Sequence, residues 1–262
     1  MKARKNNFFK SFSNVIFAFF MRELKTRFGS NKLGYFWMIF EPLMHILMLS
    51  FIFSFLGRQI SINIEFPMFL FISITPYLLF NNIFKKVMET INANKSLMTY
   101  SPVKMIDPMI ARLLIEIMIS IFTFFFTSII FYFLGIFIFV DNFLLFLFMF
   151  FTLIIFSFSF GLILAIGKEY FKDLNKLVSI ILKPLYFLSG IFYTVDIIPA
   201  NYREIALYNP ILNFVEAIRS AYFKEFDDKY VEYNYILSLT LFLFTFSLIL
   251  YIKNKDIFKG NN

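Results

Sequence analysis

The sequence predicts an all-α polytopic membrane protein. Six transmembrane helices are expected, with an N-terminal amphipathic interface helix and two short re-entrant external helices before the last span. Three observations carry this. Six separate apolar stretches are each about long enough to cross a bilayer, whose ~30 Å hydrocarbon core takes about 20 helical residues. Positive charge gathers on one side of those stretches. Composition agrees: 60% of the 262 residues are hydrophobic and 16% charged, against roughly 45–50% and about 25% in soluble domains. In lipid a segment must satisfy its own backbone, so outside a closed barrel it must be a helix. The ten-residue alternation of barrel strands is absent from the sequence.

The expected spans are Gly34–Leu56, Phe66–Phe84, Met109–Leu134, Phe143–Ile166, Leu177–Val195 and Tyr233–Ile252. Residues 1–33 form a cytoplasmic N-terminus, and residues 34–262 one six-span membrane domain, the natural count at this length. Nineteen of the 25 Lys and Arg lie before the first span, in the second-to-third connection through Arg112, between residues 168 and 176, or after residue 252. Arg58, Arg203, Arg219, Lys224 and Lys229 lie on the other side, and Lys183 sits inside the fifth span. The positive-inside rule then places both termini in the cytoplasm. The apolar run Val15–Met21 is short and has no small-residue site after it, so no cleavable signal peptide is expected.

Composition also excludes some chemistry. There are no cysteines, which removes disulfides and cysteine-ligated metals. The 43 Phe accompany abundant Ile, Asn and Lys, a pattern of AT-rich coding that leaves room for some aromatic residues to line a channel. The net charge of +8 could suggest nucleic acid. The basic residues flank membrane spans, however, and anionic lipid headgroups explain them better. No nucleic-acid partner is expected.

Taken in order, the first segment outside the spans is Phe8–Phe28. Phe8, Phe12, Val15, Phe19 and Leu24 recur at helical spacing, with Lys10, Asn14, Arg22 and Lys25 between them. This predicts a helix lying in the cytoplasmic interface, either as an anchor alone or also touching a partner. In the first span Glu41 and His45 are four apart and share a face, with Pro42 weakening the helix between them. A charge at mid-membrane costs roughly 2.5–3.5 kcal/mol on insertion scales, so a packed, hydrogen-bonded pair between helices is expected, with a proton relay as the alternative.

The connection Lys85–Asp107 is too long for a tight turn and too polar for lipid. A short helix over Met88–Met98, broken before Pro102, is predicted, in either a solvated loop or a docking element. On the third span Glu116 lies about a turn beyond Arg112, which predicts a local ion pair. Lys183 lies about 9 Å into the fifth span at 1.5 Å per residue. It either snorkels to the cytoplasmic edge or faces a polar pathway, where it could meet a phosphate or acidic sugar. Pro184 follows and could bend the helix.

The external segment Asp196–Glu232 is semi-apolar. Pro199 and Pro210 divide it into pieces near Tyr202–Tyr208 and Ile211–Phe223. Neither can span, so re-entrant or interfacial helices are expected.

No constellation suggests enzymatic chemistry. There is one His and no HExxH motif. The nearest approach to a phosphate loop runs from Gly161 to Gly167-Lys168-Glu169. It has five residues between the glycines instead of four, and Glu where Ser or Thr should bind magnesium. No catalytic residue, metal site or bound cofactor is expected, and any ATP chemistry belongs to another chain.

The run Met21-Arg22-Glu23-Leu24-Lys25-Thr26-Arg27-Phe28, then Leu33-Gly34-Tyr35-Phe36-Trp37 and Glu41-Pro42, resembles the permease subunits of bacterial ABC exporters for capsular polysaccharide and O-antigen. The resemblance continues in Ser101-Pro102-Val103-Lys104, in Lys172-Asp173-Leu174, and from Lys183-Pro184 through Ser189-Gly190-Ile191-Phe192-Tyr193. It ends with Asn209-Pro210 and Arg219-Ser220. The shortness of the chain and the lack of a carbohydrate-binding extension favour the capsule branch. O-antigen or teichoic acid export by the same fold is the near rival, and a membrane-embedded glycosyl or acyl transferase the distant one.

This resemblance implies a homodimer of six-span subunits with two cytoplasmic ABC ATPase subunits, which carry the ATP and magnesium. It also implies a lipid-linked polysaccharide substrate, and periplasmic and outer-membrane export proteins as further partners. The N-terminal helix, with Arg22, Lys25 and Arg27, would stand at the cytoplasmic gate. The segment with Met88, Asn92, Asn94, Lys95 and Leu97 would be the coupling helix that the ATPase grips. Aromatic residues line the channel of such exporters, and Tyr186 and Tyr193 are candidates beside Lys183.

Overall fold

The computed structural model describes residues 2–29, 33–57, 64–97, 103–171 and 173–255, with side chains from Phe12 onward apart from Met38. Every described element is helical. These are α1 (Lys2–Phe28), α2 (Gly34–Phe55), α3 (Phe66–Met88), α4 (Thr90–Asn94), α5 (Ile106–Phe133), α6 (Phe143–Tyr170), α7 (Leu174–Leu188), a 3-10 turn (Val195–Ile197), α8 (Ala200–Leu207), α9 (Pro210–Tyr222) and α10 (Tyr233–Asn254). The predicted resemblance segment Ser101-Pro102 and the predicted helix end Met98 lie outside the described residues.

Five helices are long and apolar enough to cross a membrane: α2, α3, α5, α6 and α10. The fifth expected span, Leu177–Val195, is shorter than anticipated. Its helix α7 has 15 residues, about 22 Å at 1.5 Å per residue. It stops at Leu188 because Gly190, at φ +68°, takes the left-handed conformation that ends helices and that glycine adopts without steric penalty. A side chain at Gly190 would also run into Leu212, and its Cβ would sit 3.1 Å from Arg219 Nη2.

α3 is the centre of the bundle. It is almost wholly apolar from Phe66 to Phe80, and seventeen of its side chains are buried, as expected for a helix enclosed by others. It packs against α2, α5, α6 and α9. The closest crossing is with α6 at Gly161, where a Cβ would lie 2.9 Å from Phe84 O and 2.9 Å from Val87 Cβ. Only hydrogen fits there.

Hydroxyl groups in the spans largely bond their own helix. Ser73 donates to Phe69 O, Thr75 to Phe71 O, Ser157 to Leu153 O and Thr240 to Ile236 O, each at 2.6–2.7 Å. Such back-bonding satisfies the hydroxyl without a partner helix.

The two pieces expected outside the membrane form helices where the prolines place them, but they differ. α8 buries no side chain, whereas α9 buries eleven of its thirteen residues. α9 starts cleanly: the Asn209 side chain accepts from Ile211 N at 3.0 Å, and Pro210 occupies the first turn, where its missing N–H is no loss. Its far end is tied to the connection between α5 and α6. Tyr222 donates to Ile138 O at 2.7 Å, and Asp141 N and Asn142 N donate to Tyr222 O and Ala221 O.

Two buried charges of α9 tie it to the turn after α7. Arg219, with no exposed surface, lies 2.6 Å from Glu216 and donates to Tyr193 O at 3.0 Å. Its guanidinium sits over the rings of Phe69 (4.6 Å) and Phe226 (5.2 Å). Glu216 also accepts from Val195 N at 3.2 Å.

Removing one partner of a buried pair leaves an uncompensated charge and costs about 3–5 kcal/mol. Arg219→Met should therefore lower the melting temperature in detergent far more than Lys224→Met at an exposed neighbouring position. Equal melting of the two variants would show that the pair does not hold α9.

Candidate functional site

The functional candidates gather in two places. The first is where α1 meets α5 and α4. α1 rests on α5 and α2, with Phe19 and Glu23 buried. Phe12, Val15 and Leu24 are half-buried, while Phe17 and Met21 are exposed, so α1 keeps one apolar face free. The side chain of Phe8 lies outside the described residues.

Four charges meet at this contact. Arg27 Nε lies 2.8 Å from Glu23 Oε1, and Arg27 Nη1 lies 2.5 Å from Glu116 Oε1. Arg112 Nε lies 3.0 Å from the same Glu23 oxygen, and Arg112 Nη1 donates to Lys86 O at 2.9 Å. All four side chains are at most 15% exposed. The local Arg112–Glu116 pair expected on α5 is therefore replaced. Each residue pairs with α1 instead, because the planar guanidinium of Arg27 can bridge two carboxylates.

The three gate candidates thus play separate parts. Arg27 is in the cluster. Arg22 is exposed, and its Nη1 donates to Asn94 Oδ1 at 3.0 Å. Lys25 is exposed on the surface of α1.

α4 is shorter than the expected Met88–Met98 helix. It spans five residues, and Met88 belongs to the end of α3. Thr90, Ile91 and Asn94 are buried. Asn94 Nδ2 donates to Thr90 O at 2.9 Å, and Thr90 Oγ1 donates to Lys86 O at 2.8 Å. Asn92 and Lys95 face outward and Leu97 is half-buried. Lys95 Nζ lies 3.9 Å from Glu169 Oε2 on α6; being exposed, this pair adds little stability.

The second place is the outer face of α2 and α7. Glu41 and His45 are exposed rather than packed between helices of this chain. The His45 ring stacks toward Tyr186, with centroids 6.3 Å apart and planes 19° apart. Tyr186 meets Tyr77 edge-on at 5.0 Å, an arrangement the ring quadrupoles favour. Tyr77 in turn donates to Leu182 O at 3.0 Å. This aromatic stack links α7 to α2 and α3. Lys183 is exposed on α7, nine residues past its start, or about 14 Å along the axis. Tyr193 does not join Tyr186 on a helix. It lies on the turn after α7, half-buried, with its carbonyl bound by Arg219.

Sequence reasoning did not single out Glu23 or the Glu216–Arg219 pair. Both had a signal: Glu23 precedes Arg27 by four residues and Glu216 precedes Arg219 by three, the spacings at which helical side chains meet.

Comparison with known proteins follows this geometry closely in extent. The ABC-2 type transporter family matches residues 14–223, from α1 through the end of α9. The polysialic acid transport protein KpsM of Escherichia coli is 36% identical over 234 residues, covering 89% of this chain and 91% of its own length. The capsule polysaccharide export inner-membrane protein CtrC of Neisseria meningitidis is 25% identical, covering 97% of both chains. BexB of Haemophilus influenzae, described in the same words, is 27% identical over 92% of this chain and 90% of its own. The family match covers most of the chain and includes both clusters, so this protein belongs to the ABC-2 type transporter family.

Proposed function

We propose that this chain is the membrane-spanning permease of an ABC exporter that carries lipid-linked capsular polysaccharide across the inner membrane. The observation that carries this is end-to-end similarity to KpsM, CtrC and BexB. The chain does no ATP chemistry of its own in this reading. Two ABC ATPase subunits hold ATP and magnesium, and a second copy of this chain completes the channel. Periplasmic and outer-membrane export proteins would continue the path outward.

The fold supports the division of labour. α7 with the turn through Thr194 makes a sixth, short crossing, and both termini face the cytoplasm, where the charge asymmetry puts them. α8 and α9 dip back from outside as re-entrant pieces, a course favoured by the burial of α9 against α3 and α6. The large apolar side chains Met48, Phe51, Phe55, Ile180, Ile181, Phe187 and Leu188 stay exposed on α2 and α7. Those two helices are the face offered to the second copy.

On this reading α4 is the coupling element. Asn92 and Lys95 are offered to the ATPase, while Met88, Asn94 and Leu97 hold the element against the bundle. Arg22, Lys25 and Arg27 stand at the cytoplasmic gate. Glu41, His45, Lys183 and Tyr186 share the face that would border the pathway. Tyr193, tied into the turn under α9, stands at its outer end.

The topology is tested directly because the chain has no cysteine of its own. Asn201→Cys should react with an impermeant thiol reagent in intact cells, and Asn92→Cys only after permeabilisation; the reverse pattern would invert the orientation. Lys95→Glu combined with Asn92→Asp should weaken co-purification with the ATPase without lowering the amount of membrane protein. Unchanged complex and export would make α4 an ordinary loop. Lys183→Gln should reduce surface polysaccharide at normal abundance and normal ATPase association, while Lys183→Arg keeps much of the export. Full export by the Gln variant would remove Lys183 from the pathway.

A further inference from the structure

The four charges between α1 and α5 pair with one another between two helices and are at most 15% exposed, and they are poorly suited to stability alone. A buried ion pair is often no more stabilising than apolar side chains of similar volume. This one is also incompletely satisfied. Glu23 Oε1 serves both Arg27 and Arg112. Arg27 Nη2 is buried with no acceptor among the described residues, and Arg112 Nε approaches Glu23 without hydrogen-bond geometry. Two guanidinium groups bring ten N–H donors between them, more than the cluster can accept.

Its connections are specific. The polar bonds of α4 run in two directions. Asn94 is held by Arg22 of α1. The carbonyl of Lys86, which already accepts from Thr90, is held by Arg112 of α5. Arg22 and Glu23 are neighbours on α1, and Arg112 pairs with Glu23. Both routes from α4 therefore meet at one carboxylate. From there Arg27 leads to Glu116, a turn further along α5.

Beside Glu116 lies a small cavity of about 20 Å³, lined mainly by apolar side chains of α2, α3 and α5, with Thr75, Asn82, Ser120 and Thr123 among them. A water needs roughly 10–15 Å³ of such space and two or more polar partners. Thr123 Oγ1 is buried there with no hydrogen-bond partner among the described residues, and the residue is 4% exposed. A few polar side chains thus border Glu116 in an otherwise apolar cavity.

We propose that Glu23, Arg27, Arg112 and Glu116 form a buried ionic linkage that carries displacement of α4 to α1 and α5 together. They are positioning residues for transport, and this rests on the reading of α4 as the coupling element. Packed charges of this kind hold discrete arrangements instead of deforming smoothly. A push on α4 then moves the N-terminal helix and the third span as one step.

The test measures export per ATP hydrolysed by the full permease–ATPase complex reconstituted in liposomes. Wild-type complex formation and ATP-driven export are the control, and failure there refutes the exporter reading itself. With that control in place, Arg22→Gln, at an exposed position where folding is not at risk, should keep ATP hydrolysis while export per ATP falls about fivefold or more. Arg27→Glu and Glu116→Arg should each lose export, and the double reversal, which restores the pair between positions 27 and 116 but not the one to Glu23, should recover part of the ratio. An apolar replacement of the cluster (Glu23→Leu, Arg27→Met, Arg112→Met, Glu116→Leu) should give normal abundance with a lowered ratio. If that replacement does not fold, the Arg22→Gln ratio decides alone. A wild-type ratio in Arg22→Gln, or in the folded apolar replacement, would overturn the proposal.

Discussion

In a bilayer, apolar side chains gain little by leaving lipid for one another, so a bundle of spans must be held by close packing and by polar contacts. This structure uses both at definite points. α3 supplies the packing surface, and Gly161 lets α6 approach it to backbone distance. Polar contacts then fasten what packing alone leaves free: Tyr77 to the backbone of α7, Arg219 to the turn after α7, and the four charges between α1 and α5. Span hydroxyls that bond their own helix spend their polarity locally, and so leave helix pairing to those few contacts.

Span positions were legible because length and hydropathy are properties of a single segment. α2, α3, α5, α6 and α10 depend on little else. The end of α7 was not legible in the same way. Leu177–Val195 reads as one apolar run, but Gly190 breaks it, and only the neighbouring Leu212 and Arg219 show why glycine sits there. Pro199 and Pro210 marked α8 and α9 correctly, yet they could not say that one would be exposed and the other enclosed. That difference comes from Arg219, whose burial depends on rings and carbonyls distant in sequence.

The site was legible to a similar depth. The polar connection after α3 stood out by composition. Its outward and inward faces did not, because Asn92 and Asn94 look alike until Arg22 is placed beside one of them. The expected Arg112–Glu116 pair shows the limit of helical spacing as a guide. The spacing was right for contact, but a third residue on another helix competed for each partner and won. Glu41 and His45 lie exposed on this chain, so their contacts within it do not say what else they pack against.

The glycine at 190 has a meaning for how such permeases can be recombined. With no side chain there, the exit of α7 and the body of α9 touch directly, Arg219 reaching back to the carbonyl of Tyr193 across the gap. The stretch from Ser189 to Tyr222 is thus one modular piece, although its sequence looks like a helix end, a loop and a hairpin. A chimera that exchanges the segment containing α8 and α9 between relatives should be cut before Ser189. A junction at Asp196 would pair one protein's arginine with another's turn, and would split a unit that the backbone itself does not mark.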